Sequence, residues 1–256
     1  MDAMSTVLVE RDGPVRTVWM NRPEKRNALN PGMLDAMIAA MREPVAPDDR
    51  VVVIRGKGGG FCSGLDMAER RRTMGGGEAS GIEVLLRAIE LCPLPVVAVV
   101  QGDAIAGGNE LALHCDLVVA SEQARFGMSL AQVGLAPNWF LAKKLMEVLG
   151  PVTTREMLLL GDPLPARRLH DLGLIARCVP ADALEAEAGR IITRLAANAP
   201  LSLKAMKAMT VRQLEFRDAI PHEDVDELVR AAIRSEDAQE GMLARLQKRV
   251  ARFTGR

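Results

Sequence analysis

Aromatic side chains are the clearest shortage in this 256-residue sequence: they make up 3% of the residues, and tyrosine is absent. Proteins that bind single-stranded nucleic acid stack bases on aromatic rings, and this chain offers few such surfaces. An excess of either charge is also missing, because 33 basic residues balance 33 acidic ones. No overall field therefore attracts a polyanion or an anionic membrane surface, and any anionic ligand would need a local site.

Cysteine is scarce as well. The four cysteines, Cys62, Cys92, Cys115 and Cys178, lie far apart, and none has a second cysteine or a histidine at the spacing of a zinc site. We therefore expect buried free thiols in a reducing compartment, and neither a disulfide framework nor a bound metal.

Long uninterrupted hydrophobic runs are missing too. The most apolar stretch, residues 93–120, is broken by Asp103, the Gly107-Gly108 pair and Glu110, which a membrane-spanning helix would not tolerate. The first residues contain neither a basic region nor an apolar run, so we expect no signal peptide and a cytoplasmic location. The composition, 48% hydrophobic and 26% charged, is that of an ordinary globular protein with a sizeable core.

Hydrophobic periodicity divides the chain into a mixed part and a helical part. Alternating or β-branched runs predict strands at residues 6–10, 15–20, 51–55, 95–100 and 117–120. Helical patterns cover residues 31–41, the segment ending at 91, and residues 109–114, 183–198 and 235–253. The dipeptide Asp12-Gly13 predicts a hairpin between the first two strands. The sequence thus predicts an α/β core over residues 1–198 and a helical region over residues 199–256.

Two glycine-containing segments share a design that suits an anionic reaction centre. Residues 60–67 read GFCSGLDM and residues 102–112 read GDAIAGGNELA, and in each a predicted strand ends in small residues before a helix starts. Backbone N–H groups at helix starts are unpaired, and glycine lets the backbone approach a ligand closely. Together the segments could supply two converging N–H donors, which is an oxyanion hole. A third segment, GKGGG at 56–60, lacks the ending of a nucleotide loop and is interpreted as a turn.

Several polar and aromatic residues near these segments have two interpretations. Glu110 either lies in the first turn of a helix, where acidic residues are favoured, or transfers protons at a reaction centre. Asp103 is interpreted as a loop or capping residue, with an approach to the site as the alternative. His114, one turn after Glu110, is expected to pack or cap. Trp139 and Phe140 are expected either to wall an acyl pocket or to pack in the core.

Two features between the predicted helices concern the surface. The run Arg70–Arg72 is typical of a solvated helix face, although it could also attract an anion. The run Gly75–Gly77 predicts a surface loop.

The order of several short motifs resembles the crotonase (enoyl-CoA hydratase/isomerase) family. The motifs are Arg22-Pro23 with Asn27-Ala28-Leu29, the turn at 61–67, residues 102–116, Phe126-Gly127, and the ending Glu240-Gly241-Met242 with Lys248-Arg249. The similarity runs from about residue 7 to 253. It implies a spiral of stacked β-β-α turns, C-terminal helices that assemble trimers or dimers of trimers, and an acyl-coenzyme A thioester as substrate. Coenzyme A is then part of the substrate, and no separate cofactor is implied.

The resemblance also implies roles for individual residues. The N–H groups of Leu65 and Gly107 would hold the thioester oxygen, and Glu110 would be the acid/base. Lys248 would reach the coenzyme A phosphates, often those bound by a neighbouring subunit. The residues that would contact the substrate or coenzyme A are Arg26, Ala28, Leu65, Asp66, Met67, Gly108, Leu130 and Lys248.

One position departs from the family's hydratase pattern. Those enzymes have a second glutamate in register with Leu130, and leucine can neither ionise nor bind water. Hydration divides its proton transfers between two carboxylates, whereas one suffices for a double-bond shift. The sequence therefore favours a hydratase or isomerase that relies on Glu110. The alternatives are an acyl-CoA hydrolase or decarboxylase on the same scaffold, and an acyl-CoA-binding protein that has lost catalysis.

Overall fold

The computed structural model describes residues 5–68 and 81–256. Its strands are β1 (Val7–Asp12), β2 (Val15–Met20), β3 (Val51–Gly56), β4 (Val96–Val100), β5 (Ala104–Ile105), β6 (Leu117–Ser121), β7 (Arg125–Gly127), β8 (Leu164–Pro165) and β9 (Arg177–Val179). Its α-helices are α1 (Pro31–Arg42), α2 (Gly81–Glu90), α3 (Gly107–Leu113), α4 (Trp139–Arg155), α5 (Ala166–Asp171), α6 (Leu184–Ala196), α7 (Pro200–Leu214), α8 (Glu223–Arg234) and α9 (Glu236–Leu246). The predictions for Arg70–Arg72 and Gly75–Gly77 lie outside the described residues.

The strands form two layers. The main sheet has the order β1-β2-β3-β4-β6-β9, in which β1 and β2 form the predicted antiparallel hairpin and the other neighbours are parallel. The smaller sheet has the order β5-β7-β8, and the parallel bridges Leu29–Leu65 and Cys62–Ala104 extend its layer to earlier parts of the chain. The chain thus passes from a main-sheet strand to an extended second segment and then to a helix, as in β4, β5 and α3. This confirms the predicted α/β class built from β-β-α turns.

Both faces of the central strands β3 and β4 of the main sheet are buried, which explains their continuous β-branched runs. In β3, Val52 and Ile54 belong to the large core that includes α1 and α2. Val51 and Val53 point to the opposite face, where α6 covers them with side chains such as Ile191. Successive side chains of a strand alternate between faces, so a sheet covered on both sides needs apolar residues at every position.

A buried cation ties the helical region to the core. Lys207 of α7 donates from Nζ to the Asp116 carboxylate at 2.7 Å and to the carbonyl oxygens of Ile89 and Leu94, both at 3.1 Å. Lys207 is only 9% exposed, so these three acceptors replace its hydration. Around this anchor, residues 200–234 expose large apolar side chains, namely Leu201, Met206, Met209, Phe216 and Leu228.

The last helix is shorter than the predicted helix over residues 235–253. Helix α9 ends at Leu246, and Lys248 has a φ of +55°, which is incompatible with a continuing helix. The chain then folds back, because the Glu240 carboxylate accepts from the Arg249 guanidinium at 2.6 and 2.7 Å, and Asp237 accepts from the Thr254 N–H at 2.7 Å. These ionic contacts stabilise the reversal of the chain after Leu246. The hydrophobic periodicity of the sequence does not predict them.

Helix α9 packs against its own chain. Ala238 is fully buried in a small apolar cluster with Val133 and Leu135, and Leu130 packs against the same cluster. A Cβ added to Gly241 would lie 2.4 Å from the Val133 carbonyl carbon, so only glycine permits this approach. The helix thus supports the segment that carries Leu130.

Two further sequence expectations concern cysteine and the membrane. All four cysteines are buried free thiols, as predicted. Within residues 5–68 and 81–256, no helix combines the length and the apolar character needed to cross a membrane.

Candidate active site

The two glycine segments meet at the start of α3. A Cβ built on Gly64 would lie 2.9 Å from the Gly107 nitrogen, and one built on Gly107 would lie 3.6 Å from the Leu65 nitrogen. The amides of Leu65 and Gly107 are therefore neighbours, although 42 residues separate them in the chain. The parallel bridge between Cys62 and Ala104 holds the two segments side by side.

The fold leaves both of these amides without a backbone acceptor. The N–H of Leu29 donates to the Gly64 carbonyl, and the N–H of Asp66 donates to the Leu29 carbonyl. The bridge between Leu29 and Leu65 therefore uses the residues on either side of Leu65 and not the Leu65 N–H. Gly107 is the first residue of α3, and the preceding Ala106 provides no side-chain cap. Among the described residues, no backbone oxygen accepts from the Leu65 or Gly107 N–H. Two adjacent donors are therefore available to a ligand.

Strained and closely packed backbone fixes this junction. Ala106 has a φ of +49°, a conformation that residues with a Cβ seldom adopt and that costs about 1–3 kcal/mol. Its N–H donates to the Gly127 carbonyl at 2.7 Å, which holds the turn in place. A Cβ on Gly108 would lie 2.1 Å from the Cys62 carbonyl oxygen, so glycine is required there for packing.

Glu110 lies in the first turn of α3 with its side chain fully buried. Within the described residues, neither carboxyl oxygen has a hydrogen-bond partner. Burial raises the pKa of Glu110 well above its ordinary value, and the charge of Lys144 offsets only part of this rise. A carboxyl group in such a site is a weaker acid than one at the surface, which is suited to taking and returning protons near neutral pH.

His114 is buried beside Glu110 but does not form an ion pair with it. Its Nδ1 lies 3.7 Å from Glu110 Oε2, and 2.7 Å from the Glu110 carbonyl oxygen. Burial, with a further contribution from Lys144, lowers the pKa of His114 to about 3, so the ring is neutral at physiological pH. A carbonyl can only accept, which assigns the ring proton to Nδ1 and leaves Nε2 as an acceptor.

The two aromatic residues at the start of α4 have different neighbours. Phe140 stacks on His114 with ring centroids 5.3 Å apart, and therefore covers the Glu110 side of α3. Trp139 stacks on His222 with centroids 4.6 Å apart, and its indole N–H donates to the Arg217 carbonyl. The sequence pattern does not predict this part of α4.

The predicted coenzyme A contacts near the N-terminus lie on linked segments. The Arg22 guanidinium donates to the Ala28 carbonyl at 2.5 Å and to the Asp66 carboxylate at 3.2 Å. The exposed Arg26 accepts the Ser63 N–H on its carbonyl at 3.0 Å. These bonds place Arg26, Ala28 and Asp66 beside the turn that carries Leu65, and Met67 follows in the next turn of chain.

A buried amide joins the same two segments. Asn27, with a φ of +54°, donates from Nδ2 to the carbonyl oxygens of Lys57, Gly60 and Phe61 at 2.9, 3.1 and 3.0 Å. The motif marks Asn27 in the sequence, but its role as a fully buried cross-link appears only in the structure.

The remaining predicted residues lie farther from this junction. Leu130 is partly buried against both the main core and the α9 cluster. Lys248 is exposed, and within the described residues its side chain forms no hydrogen bond or ion pair. Asp103 is half-exposed and binds the Arg125 guanidinium at 2.8 and 3.0 Å, which confirms the interpretation as a surface loop residue.

Sequence patterns miss a buried ion cluster behind the site. Lys144 of α4 lies 2.5 Å from Glu90 Oε1 and 3.1 Å from Glu147 Oε2. Charged residues at helical spacing are ordinarily interpreted as a solvated face, so no local signal distinguishes this buried cluster. Within the described ranges, no group of three or more His, Cys, Asp or Glu side chains is arranged to hold a metal ion.

The raised pKa of Glu110 makes a prediction about stability. A carboxyl group with a higher pKa in the folded state binds more protons when folded, so its stabilising contribution is present at low pH and is lost as the pH rises from the ordinary value of 4.5 toward the folded-state pKa. Glu110→Gln removes the ionisable group, so the variant does not lose this stabilisation as the pH rises. We expect the variant's free energy of unfolding in urea to exceed the parent's by a margin that grows with pH across this window. A margin independent of pH would contradict the buried, partnerless state of Glu110.

Comparisons with known proteins agree with this geometry. The family model for enoyl-CoA hydratase/isomerase matches residues 10–256. A putative enoyl-CoA hydratase of Thermus thermophilus is 34% identical over 96% of this chain and 100% of its own length. The 1,2-epoxyphenylacetyl-CoA isomerase of Escherichia coli is 32% identical over 99% of this chain and 100% of its own. A solved methylmalonyl-CoA decarboxylase in complex with 2-nitronate-propionyl-CoA matches with a TM-score of 0.90 at 25% identity, over 99% of this chain and 100% of that one. This chain therefore belongs to the enoyl-CoA hydratase/isomerase (crotonase) family and shares its fold.

Proposed function

We propose that this protein catalyses hydration or migration of a double bond conjugated to the thioester of an acyl-coenzyme A. The observation that carries the proposal is the pair of adjacent unpaired amides, Leu65 and Gly107, next to the buried carboxyl group of Glu110. Family membership and the coenzyme A thioester in the decarboxylase complex support this substrate class.

The two amides would act on the thioester oxygen. Chemistry at Cα or Cβ passes through an enolate, whose negative charge collects on that oxygen. Fixed N–H donors stabilise the enolate without reorganising, and loss of one such donor typically costs about 3 kcal/mol of barrier. The strained Ala106 turn and the Cys62–Ala104 bridge support this role because they prevent the amides from moving apart.

Glu110 would move the protons. For a double-bond shift it would take a proton from one carbon and return it to another, so a single carboxylate suffices. For hydration it would have to serve both the water and Cα in turn, because Leu130 stands where family hydratases have a second glutamate. The raised pKa of Glu110 suits either cycle, since the group must accept and release a proton near neutral pH.

Coenzyme A would lie along the linked N-terminal segments. In this proposal the backbone around Arg26, Ala28, Asp66 and Met67 cradles the pantetheine and adenine, Gly108 borders the thioester, and Leu130 borders the acyl group. The exposed Lys248 would bind the phosphates of a coenzyme A held by a neighbouring subunit. No cofactor beyond the substrate's own coenzyme A is needed for these steps.

Decarboxylation of an acyl-coenzyme A is a second candidate, favoured by the high TM-score to methylmalonyl-CoA decarboxylase. Loss of carbon dioxide leaves the same enolate, which a protonated Glu110 would then quench at Cα, and no second carboxylate is required. The two candidates differ in their products, because a hydratase or isomerase releases no carbon dioxide.

The first test of this proposal is Glu110→Gln, which keeps the shape of the side chain but removes its acid/base chemistry. We expect the kcat for a short enoyl-coenzyme A to fall about 100- to 10,000-fold. Asp103→Asn is the matched carboxyl-to-amide control and should retain activity, since Asp103 faces Arg125 at the surface. Product analysis by mass spectrometry separates hydration and isomerisation from decarboxylation. Turnover that survives Glu110→Gln would refute the proposed role, and binding without turnover in the parent would favour an acyl-CoA-binding protein.

The second test concerns the missing carboxylate. We expect Leu130→Glu to raise the rate of water addition, because a carboxylate there would hold the attacking water and relieve Glu110 of one transfer. Burial of the new group should cost about 1–3 kcal/mol of stability, so the rate and the unfolding curve are measured on one preparation. Leu130→Gln is the neutral control of equal size. If folded Leu130→Glu hydrates no faster than Leu130→Gln, the natural reaction is not a hydration or Leu130 lies away from the reacting carbons.

Assembly provides a third test. We propose that the exposed apolar side chains of residues 200–234 pack on other subunits in a homotrimer or a dimer of trimers, because an isolated chain would leave them in water. Sedimentation at micromolar concentration should give a trimeric or hexameric mass. Leu228→Asp should lower that mass, whereas Arg230→Asp on the polar side of α8 is the control, and a monomeric parent would contradict the proposal.

A further inference from the structure

The ion cluster behind the site is unusually well shielded from water. The side chains of Lys144, Glu90 and Glu147 are 12%, 6% and 4% exposed, respectively. Burying an ion costs several kcal/mol unless close partners replace its hydration, and here one ammonium group is held between two carboxylates. Arg87 approaches Glu90 at 3.4 Å and Arg217 approaches Glu147 at 3.9 Å from the outer side. The cluster thus keeps the Lys144 ammonium group charged inside the protein, with its charge compensated by the two carboxylates.

Helix α4 places this charge alongside the catalytic helix. Phe140 and Lys144 are one turn apart on α4 and therefore share a face. The Phe140 ring stacks on His114, and His114 Nδ1 lies 3.7 Å from the Glu110 carboxylate. The face of α4 that carries Lys144 is consequently the face packed on the turn of α3 from Glu110 to His114.

The other charged groups around Glu110 are neutral or engaged elsewhere. On α3 itself, His114 is uncharged, and β5 and β6 bring no titratable side chain. Lys143 binds Asp218 at 2.5 Å and points away to that half-exposed carboxylate. The charged groups on the elements around α3 are Glu83, Arg87 and Glu90 from α2, Lys143, Lys144, Glu147 and Arg155 from α4, and Glu215, Arg217 and Asp218 from the segment before α8. Asn138 Nδ2 donates to Glu83 Oε1 at 2.5 Å.

We propose that Lys144, held by Glu90 and Glu147, is a positioning residue that controls the protonation of Glu110 and so allows a carboxylate without hydrogen-bond donors to ionise in the active site. The proposal rests on the acid/base role of Glu110 proposed above. A carboxylate buried without donors is strongly disfavoured, and a cation acting through a low-dielectric interior offsets part of that penalty. Among the described residues, Lys144 is the charged group that opposes the raised pKa of Glu110.

The two carboxylates keep this cation charged. Burial alone would lower the pKa of Lys144, but Glu90 and Glu147 together raise it above its ordinary value. For Glu90, burial would raise the pKa, yet the neighbouring cations, Lys144 foremost, lower it. Lys144 therefore stays an ammonium ion to a higher pH than an ordinary lysine does.

The experiment follows the protonation of Glu110 directly. Its carboxyl C=O stretch is identified by infrared difference spectroscopy as the band that Glu110→Gln abolishes, and it is titrated in the parent and in each variant. Lys144→Met should move the titration to higher pH and lower kcat/KM at pH 7 by about three- to tenfold, with recovery at more alkaline pH. Glu90→Gln leaves Lys144 less compensated and should move the titration to lower pH.

Two controls keep the charge or the site intact. Lys144→Arg retains the positive charge and should titrate close to the parent, whereas Lys143→Met removes a neighbouring lysine that faces Asp218 and should leave Glu110 unchanged. If Lys144→Met fails to fold, the double variant Glu90→Gln/Lys144→Met removes the cation together with a partner. Its titration should still lie above that of the parent, because Lys144 acts on Glu110 more strongly than Glu90 does.

Opposite shifts for Lys144→Met and Glu90→Gln would support the proposal. Unchanged titrations, or shifts in the same direction, would reduce the cluster to a structural link between α2 and α4 and overturn it. A failure of the proposed function gives a different result from a failure of the proposed role of Lys144. If Glu110→Gln keeps full turnover while the infrared titrations shift as expected, Glu110 is not the acid/base, but Lys144 still controls its charge.

Discussion

The site is organised around an ionisable carboxyl group that the fold buries without hydrogen-bond donors. Glu110 could be stabilised by solvent or by a salt bridge, but its side chain is fully buried and, among the described residues, its carboxyl oxygens have no hydrogen-bond partner. The neutral His114 ring lies beside Glu110, and the Phe140 ring stacks on His114. In the role proposed for Glu110, the raised pKa makes the group a stronger base than an ordinary surface carboxylate, close to the Leu65 and Gly107 amides.

The layered spiral makes this arrangement geometrically feasible. Each β-β-α turn ends a second-layer segment at a helix start, so successive turns bring helix starts next to one another. The close approach requires glycine at position 108, against the Cys62 carbonyl, and a strained backbone at Ala106. The main sheet is apolar on both faces and provides the rigid support that holds this strain.

The C-terminal region has two distinct relations to the core. Helix α7 is attached through the buried Lys207 and otherwise presents apolar side chains to solvent. Helix α9 instead completes the subunit, because Ala238 and Gly241 pack on the segment that follows Leu130. A substitution at Leu130 therefore alters the packing of both the main core and the last helix.

Local pattern alone determined the hairpin at Asp12-Gly13, the strands β1, β2, β3, β4 and β6 of the main sheet, the helix start after Asn30, and the two glycine segments with Glu110. Turn chemistry and hydrophobic period are encoded within a few residues, so they can be predicted from the sequence. Only the tertiary structure decided that Asp103 binds Arg125, that His114 is neutral, that Lys144 is buried between two glutamates, and that the final helix ends at Leu246. These outcomes depend on which charged side chains meet across distant segments, because burial and partners, and not residue type, set the state of an ionisable group.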